Sequence, residues 1–523
     1  MRKLSLFLLA SASLISSHAL AMSSFKLDLL HTNDLHAHFL PFKSDGSSCT
    51  YDTCRGGWAK IKSFIDKERK NNPNLILLDA GDRFSGTVFY TLRKSQDMPL
   101  LLNEMKYDAM CLGNHDFDDG LPELEKFQKK INAPLLSSNV IFPEKSDLNK
   151  NILPAIVLHK MGRQIGIIST LTPTTKTTSS NAKEIELKQP IETIQPLIQK
   201  LKNQQVDIII LLNHIGIDKD IELAQQLSDI DIIVSAHTHT LLSNNPNEKE
   251  AKGGYPVVIK NKDNKNVLIV SSGIGGHHVG KLSVEFDEKG EILSYQGDTI
   301  PMDNSITPDP QMLKILETIQ SEIDTILNQK IFSTSQKIPL THDGLFCSES
   351  CYIGEVLTDS LLKAAQKIEP KTDFAFLNSG GIRAGFQQGE ITFKNIAQTY
   401  PFDSKAVIVK IKGKDLISYL NHGLKEYVTD DRTNPFIQTA GLGYLFSGTD
   451  KVVKKIDIQN KTLEDEKEYL IVMPSFLAKG GDGFPILDIV TELPEKSIRE
   501  EIISILKNWP IKKFENRIKK MFN

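Results

Sequence analysis

Short apolar runs alternate with amphipathic stretches from about residue 22 to about residue 300. The runs are nearly continuous and rich in β-branched residues, which is typical of strands buried on both faces of a sheet. Several of the stretches between them carry apolar residues at helical spacing, so the alternation predicts an α/β domain. The strand candidates cover residues 75–78, 109–112, 165–169, 206–212, 230–235 and 267–271, and the helix candidates cover residues 58–70, 121–130 and 190–203.

The pattern changes near Thr307-Pro308-Asp309-Pro310. Apolar residues from Leu313 to Ile326 then follow helical spacing without a ligand-type motif, so we interpret residues 308–332 as a linking helix. Strand and helix patterns return after it, and the segments between them are rich in glycine and aromatic residues. Because a chain of 523 residues is too long for one ordinary core, we predict one domain over residues 22–307 and a second over residues 333–523.

The amino terminus has the pattern of a secretory signal peptide. A basic start, Met1-Arg2-Lys3, precedes a short apolar run and the small-residue site Ala19-Leu20-Ala21. We predict a signal peptide over residues 1–21, cleaved after Ala21. A membrane anchor is the alternative, but the run is shorter than the roughly 20 residues that a spanning helix needs. With no other spanning segment and a net charge of −3, we expect an exported protein, periplasmic or secreted, that does not bind nucleic acid polymers.

The five cysteines fit an oxidising compartment. Cys49 and Cys54 flank a short loop, and so do Cys347 and Cys351, which predicts two local disulfides. Cys111 lies inside an apolar run and is predicted to be a buried free thiol.

Five apolar runs are each followed by oxygen- and nitrogen-bearing side chains. In open α/β sheets, ligands gather outside the carboxyl ends of the strands, so these side chains are predicted to meet at one metal site. A single Asp-x-His or His-Thr-His is more often an ordinary surface turn, and only the repeated arrangement favours a metal. If the extended geometry continues past the first run, Asp34 and His36 share one face. The polar side chains concerned are those of Asp34 and His36, of Asp82, of the segment Asn114-His115-Asp116-Phe117-Asp118, of Asn213-His214 and of His237-Thr238-His239.

Histidine and carboxylate ligands without cysteine suit Zn²⁺, Mn²⁺ or Co²⁺. A bridging carboxylate between two ligand sets implies two ions roughly 3.5–4 Å apart. The cofactor prediction is therefore two divalent ions, with zinc first and manganese or cobalt as alternatives.

The ordered motifs resemble two halves of a known family. Those of the first half resemble the calcineurin-like metallophosphoesterase pattern, and those of the second resemble the nucleoside-binding signatures of the 5′-nucleotidase family. The resemblance implies a four-layer αββα catalytic domain, a linking helix and a smaller α+β substrate-binding domain. The motifs are Asp34-x-His36, Gly81-Asp82, Gly113-Asn114-His115-Asp116, Asn213-His214, Ala236-His237-Thr238-His239, Asn378-Ser379-Gly380-Gly381-Ile382-Arg383, Tyr400-Pro401-Phe402 and the segment from Ser475 to Phe484.

The resemblance also implies a role for each ligand. One metal would be held by Asp34, His36, Asp82 and His239, and the second by Asp82, Asn114, His214 and His237. One departure is His239, where related 5′-nucleotidases often have an amide side chain, so metal preference is in question.

In the resemblance, His115 is the catalytic histidine and Asp118 orients it. Nucleoside binding would fall to residues of the second domain. Phe402 and Phe476 would sandwich the base, although ordinary core packing is the alternative for both rings. Asp482 would accept the ribose hydroxyls, Asn378 would meet the base edge, and Arg383 would meet the ribose or phosphate side.

A second departure lies in the loop from Cys347 to Cys351. Animal ecto-5′-nucleotidases carry a substrate-binding arginine there, and this loop reads Ser348-Glu349-Ser350. The function predicted is an exported metal-dependent 5′-nucleotidase acting on nucleoside 5′-monophosphates. The alternatives are a broader hydrolase of nucleoside di- or triphosphates, UDP-sugars or 2′,3′-cyclic nucleotides, and a non-catalytic nucleotide-binding surface protein. Base preference and oligomeric state are not predicted.

Overall fold

The computed structural model describes residues 24–43, 49–179, 181–340, 347, 349–402, 404–425, 435–458, 462–495, 497–508 and 510–521. The predicted signal peptide over residues 1–21 lies outside these ranges. The chain forms two compact units, which meet in sequence between Ile319 and Gln320. That division falls inside the helix Pro310–Leu327, which occupies most of the predicted linking segment. The predicted domain bounds themselves stay a prediction.

The first unit is built on two sheets. The seven-stranded sheet is antiparallel across its first three strands and parallel across the rest. Its strands, in spatial order, are Ile292–Pro301, His278–Phe286, Phe25–Thr32, Ile76–Asp79, Ala109–Cys111, Leu135–Leu136 and Ile152–Leu153. The six-stranded sheet is parallel inside and antiparallel at both edges. Its strands are Val257–Lys260, Asn266–Val270, Ile232–Val234, Ile208–His214, Arg163–Leu171 and Ala155–Lys160. A further short pair joins Val140–Ile141 to Glu186–Leu187.

The strand Ile208–His214 explains why its apolar run is continuous. Ile208, Ile210 and Leu212 belong to a core that includes residues of both sheets, such as Leu29 and Ile76. The alternate residues Ile209 and Leu211 belong to a second core with the helices Pro190–Asn203 and Ile217–Gln226. Because successive side chains point to opposite faces, both faces must be apolar. The α/β prediction is confirmed.

Helices connect the strands of the first unit. The helix Trp58–Asn71 buries Trp58, Ile61 and Ile65 along one side, as its apolar spacing predicts. Besides this helix and the two helices Pro190–Asn203 and Ile217–Gln226, the described part of this unit has the helices Val88–Arg93, Met98–Met105, Gly120–Gln128, Leu148–Asn151 and Thr175–Thr178, and a 3₁₀ turn at His115–Phe117.

The second unit has a five-stranded mixed sheet and two smaller sheets. The large sheet runs Ile437–Ala440, Phe374–Asn378, Glu468–Pro474, Ala406–Lys412 and Ile489–Glu492. The three-stranded sheet is Val452–Asp457, Gly443–Ser447 and Ile518–Met521, and Lys330–Thr334 pairs with Gly389–Thr392. The helices are Tyr352–Ile368, Phe393–Thr399, Gly413–Lys425, Ser475–Ala478 and Ile498–Leu506, with 3₁₀ turns at Ser379–Gly381 and Gly481–Gly483.

The strands lie where they are predicted, with bounds that differ by at most two residues at either end. The strand predicted over residues 206–212 runs from Ile208 to His214, because Asn213 and His214 pair in register with Thr170 and Leu171. The helix predicted over residues 190–203 is present with those bounds. Both predicted disulfides, Cys49–Cys54 and Cys347–Cys351, are formed, and Cys111 is free and buried.

Candidate metal centre and nucleoside pocket

The predicted ligands lie at the carboxyl ends of strands from both sheets, or just after them. Asp34 and His36 follow the strand Phe25–Thr32, but they do not continue it. Their φ angles are 50° and 45°, so the extended i, i+2 geometry expected from the sequence is wrong. Asp82, His237 and His239 also have positive φ, at 55°, 81° and 53°. Left-handed backbone is costly for residues other than glycine, and clusters of it mark functional sites.

These turns bring the side chains into two groups. Asp34, His36 and His239 form one, and Asp82, His214 and His237 form the other. In each group one ligand atom per residue lies within 4.8 Å of the others. Asn114 joins the second group, because its Oδ1 lies 3.1 Å from His214 Nε2. All seven predicted ligands are therefore brought together.

Asp82 lies between the two groups. Its Oδ2 is 3.1 Å from His214 Nε2 and 3.8 Å from His36 Nε2. The carboxylate is buried, and its other oxygen accepts a hydrogen bond of 2.8 Å from the backbone N–H of His115. This placement suits a carboxylate that bridges two ions.

Hydrogen bonds on the far side of two rings fix which histidine nitrogens face the centre. His36 Nδ1 lies 3.2 Å from the carbonyl oxygen of Phe84, and His214 Nδ1 lies 2.7 Å from that of Ala80. A carbonyl oxygen only accepts, so each Nδ1 donates, and the nitrogen that faces the centre is Nε2, which can bind a cation once it is deprotonated. His36 Nε2 and His239 Nε2 are 3.2 Å apart, as two nitrogens directed at one cation would be.

Burial sets the charge state of several donors. It lowers the pKa of His237 and of His239 to about 4, so both imidazoles are neutral, which is the form that binds metals. Burial also raises the pKa of the Asp34 carboxyl to about 7, because its charge is removed from water. A divalent cation would compensate that buried charge, and the donor set therefore fits one.

His115 lies beside the ligands and is held by Asp118. Its Nδ1 donates to Asp118 Oδ2 over 2.7 Å. Burial alone would lower the pKa of His115, but the hydrogen bond with Asp118 and the charge of Asp82 outweigh it and raise the pKa to about 9. A protonated imidazole can donate from Nε2 to an oxygen of a phosphate ester.

Two further polar contacts support this centre, and sequence reasoning missed both. The hydroxyl of Ser85 donates to Asp118 Oδ2. The amide of Asn33 donates to Asp34 Oδ2 over 2.7 Å and accepts from the backbone N–H of Ser272 over 2.8 Å. Asn33 stands next to Asp34 in the first motif, so its position was a usable signal. Nothing in the spacing of Ser85 pointed to Asp118.

The second unit groups the predicted nucleoside residues. Asn378 Nδ2 donates to Asp482 Oδ2 over 2.9 Å, and Asp482 stands in a left-handed turn with a φ of 52°. The ring of Phe476 lies against Gly481, where a side-chain carbon would come within 2.5 Å of it. The guanidinium of Arg383 lies 5.4 Å from the centre of the Phe402 ring.

The solvent exposure of the two phenylalanine rings distinguishes them from core residues. Phe402 is 43% exposed and Phe476 is 46% exposed, so neither is a core residue. His422 was not predicted, and its Nε2 donates to the carbonyl oxygen of Asp482 over 3.0 Å. Exposed aromatic rings, a carboxylate and an amide in the same unit suit the binding of a planar base with attached hydroxyls.

Comparison with known proteins places these two sites in one family. Residues 27–241 match the family model for calcineurin-like phosphoesterases, and residues 335–489 match the model for the 5′-nucleotidase C-terminal domain. The chain is 30% identical to a 5′-nucleotidase of Homo sapiens over 493 residues, which cover 89% of this chain and 85% of that protein. It belongs to the 5′-nucleotidase family.

Two other 5′-nucleotidases are also similar to this chain over nearly their whole length. A snake venom 5′-nucleotidase of Naja atra is 30% identical over 490 residues, covering 89% of this chain and 92% of that protein. The crystal structure of a 5′-nucleotidase precursor from Thermus thermophilus superposes with a TM-score of 0.67 at 30% identity, covering 95% of this chain and 100% of that one. As a member of the 5′-nucleotidase family, the protein is a metal-dependent hydrolase of phosphoric monoesters.

The two disulfides bear on the conditions under which the chain folds. Disulfides such as the two formed here are typical of proteins that fold under oxidising conditions. Within the part of the chain that the structure describes, none of the helices combines the length and hydropathy required to span a bilayer.

Proposed function

We propose that the protein is an exported 5′-nucleotidase that hydrolyses nucleoside 5′-monophosphates to nucleoside and phosphate. The observation that carries the proposal is the placement of Asp82 between two groups of metal-type ligands, with the hydrogen-bonded pair His115–Asp118 beside it. A protein that only binds nucleotides needs neither. We assign the metal centre to residues 22–307 and nucleoside binding to residues 333–523.

The proposed ligand sets follow the two groups. Asp34, His36, Asp82 and His239 would hold one divalent ion, and Asp82, Asn114, His214 and His237 would hold the other, with zinc as the first candidate metal. When bound, such ions stabilise negative charge on the phosphate oxygens and lower the pKa of a water molecule.

The chain's own groups orient and protonate the substrate. The hydrogen bond from His115 Nδ1 to Asp118 favours the protonated imidazole, in which Nε2–H can donate to a phosphoryl oxygen or to the leaving 5′ oxygen. Phe402 and Phe476 would bind the base by stacking, with Asp482 accepting from the ribose hydroxyls.

A substrate panel tests this proposal. The purified protein would be assayed for phosphate release from AMP, GMP, CMP and UMP, and from ADP, ATP, UDP-glucose and 2′,3′-cyclic AMP, with and without EDTA. We expect the monophosphates to be hydrolysed with the highest kcat/KM and EDTA to stop the reaction. Equal or higher kcat/KM for the other substrates would favour the broader hydrolase instead. The absence of a cation in the loop from Cys347 to Cys351 is the feature that keeps this alternative open.

Export has its own test. Amino-terminal sequencing of the protein recovered from the periplasm or medium should find Met22 as the first residue. A chain that still begins at Met1 in the cytoplasm would contradict export.

Replacement of Phe476 by alanine is predicted to raise KM for AMP and GMP alike by about 5- to 150-fold. Stacking on an aromatic ring is worth about 1–3 kcal/mol per base and is insensitive to base identity. Phe514, which is 42% exposed in the same unit, provides the matched control Phe514→Ala. An unchanged KM in Phe476→Ala would remove this ring from the pocket.

The KM for AMP should depend on pH through Asp482. Burial raises the pKa of this carboxyl above its ordinary value, against the lowering effect of the Asn378 hydrogen bond. The carboxylate accepts two hydroxyls only when it is ionised. KM should therefore rise as the pH falls through the raised pKa, at a less acidic pH than for an ordinary aspartate.

Asp482→Asn separates this effect from titration of the substrate phosphate. The variant should have a KM about 10-fold higher or more at neutral pH, because hydrogen bonds to charged groups contribute about 1.5–3 kcal/mol. The ratio of the variant KM to the wild-type KM should shrink toward acidic pH. A ratio that stays constant with pH would contradict the role given to Asp482.

A further inference from the structure

A buried ion cluster lies beneath the candidate metal centre. Arg83, Asp79 and Asp116 have no exposed surface. Arg83 Nη1 donates to Asp79 Oδ1 over 2.7 Å and to the carbonyl oxygen of Cys111 over 2.8 Å, while its Nη2 donates to Asp116 Oδ2 over 2.5 Å. Arg83 comes directly after Asp82 in the chain. The cluster is therefore attached to the residue that lies between the two ligand groups.

Asp116 accepts hydrogen bonds from two different turns. Its Oδ1 accepts from the backbone N–H groups of Arg83 and Phe84, over 3.2 and 3.4 Å. Its Oδ2 accepts from the backbone N–H of Gly113 over 2.9 Å, in addition to Arg83 Nη2. The Asp116 carboxylate thus joins the turn after the strand Ile76–Asp79 to the turn after the strand Ala109–Cys111, and all four of its partners are donors.

The two turns leave no space between them. A side-chain carbon at Gly113 would lie 2.1 Å from Asp82 Oδ1, and that oxygen also accepts from the backbone N–H of His115 over 2.8 Å. The second turn carries Asn114 and His115. A small displacement of this turn would move both residues relative to Asp82.

Stability is a poor explanation for such a cluster. Removing charges from water is costly, and buried ion pairs can often be replaced by apolar residues without loss of stability. Their better-supported use is to select one arrangement of the surrounding structure. Here the arrangement selected is the contact between the two turns.

We propose that the Arg83–Asp116 ion pair is the positioning element that holds Asn114 and His115 against Asp82. It sets the geometry of the second ion's ligands and of the proposed catalytic histidine without contacting substrate or metal. This inference rests on the ligand sets given under the proposed function. Residues that orient metal ligands from behind typically change metal affinity or activity by about 10- to 100-fold when altered.

Two amide substitutions in the same cluster make a matched test. Asp116→Asn must place its NH₂ group against donors, because every partner of Asp116 donates. Asp79→Asn removes the same charge but can keep its contacts. Its oxygen can accept from Arg83 Nη1 and Gly81 N–H, and its NH₂ can donate to the Thr32 hydroxyl, which now donates to Asp79 Oδ2 over 2.7 Å.

Co²⁺ binding to the metal-stripped protein would be measured by calorimetry and by visible absorbance. The kcat and KM for AMP would be measured on the same variants. The wild type should bind two Co²⁺ ions. Asp116→Asn should bind the second ion about 10-fold more weakly or worse and lose about 10-fold or more in kcat, with KM nearly unchanged. Asp79→Asn should keep both ions and the wild-type kcat. Wild-type behaviour of Asp116→Asn, or equal losses in both variants, would overturn the proposal.

Arg83→Lys covers the case in which Asp116→Asn does not fold. Lysine keeps the charge, but one ammonium group cannot reproduce the planar fork that reaches both carboxylates. Binding of the second Co²⁺ ion should again be weakened, and the visible absorbance of that ion should change. The control is Arg517→Lys, which disturbs a bidentate pair with Asp359, at 2.7 and 2.8 Å, in the second unit. The proposal would be contradicted if Arg517→Lys weakened Co²⁺ binding, or if Arg83→Lys bound both Co²⁺ ions as tightly as the wild type.

The Co²⁺ measurement also separates this inference from the proposed function. If the wild type binds two Co²⁺ ions and releases no phosphate from AMP, the proposed function fails and the comparison of variants still decides the inference. If the wild type binds fewer than two, the ligand sets and the inference fail together.

Discussion

Replacement of His115 by alanine is expected to lower kcat for AMP by about 10²- to 10⁴-fold while both metal ions stay bound. A positioned acid–base group contributes about this much to catalysis. His115 is hydrogen-bonded to Asp118 and lies outside both ligand groups, so its removal should leave metal binding intact. The measurement is kcat together with metal content per chain after gel filtration.

His159→Ala is the matched control, because His159 is exposed in the edge strand Ala155–Lys160. It should have the wild-type kcat. A His115→Ala protein with normal turnover would show that His115 does not transfer or hold the proton. Loss of metal in that variant would make His115 a ligand instead.

Asp82→Asn is expected to reduce the metal content from two ions to at most one and kcat/KM for AMP by about 10³-fold or more. The asparagine oxygen can keep the hydrogen bond from the His115 N–H, but the NH₂ group that replaces Oδ2 cannot bind a cation. Metal ions supply several kcal/mol of transition-state stabilisation, and each 1.36 kcal/mol changes the rate about tenfold.

The control for charge is Asp218→Asn, on the exposed side of the helix Ile217–Gln226. It should leave metal content and kcat/KM unchanged. Two tightly bound ions in Asp82→Asn would contradict the bridging role of this carboxylate.

Much of the fold could be predicted because a strand that is buried on both faces requires a continuous run of apolar residues. The strand Ile208–His214 is an example, since Ile209 packs on one side and Ile210 on the other. The positions after such runs also predicted which side chains would meet. The ligand residues are close together because strands of two sheets end at the same place. That convergence is a property of the tertiary structure.

The local geometry of the site could not be predicted. Asp34 and His36 adopt left-handed backbone, which residue type alone disfavours and only the surrounding structure can maintain. The same holds for contacts between distant segments. Nothing in the spacing of Arg83 and Asp116 indicates that they form an ion pair, and in the sequence Asp116 is recognisable only as the last residue of the motif Gly113-Asn114-His115-Asp116.

Exposure was the other quantity that the sequence left open. Phe402 and Phe476 could have been core residues on pattern alone, and their accessible rings are a property of the folded unit. By contrast, the short loops closed by Cys49–Cys54 and Cys347–Cys351 were readable from spacing, because so few residues separate the partners.

The most direct test is a metal titration of the chelator-stripped protein with phosphate release from AMP as the readout. We predict no release without metal, a rise on addition of Zn²⁺, Mn²⁺ or Co²⁺, and saturation at two equivalents per chain. Phosphate release that is equally fast in EDTA, or no release at any concentration of these ions, would contradict a two-metal 5′-nucleotidase.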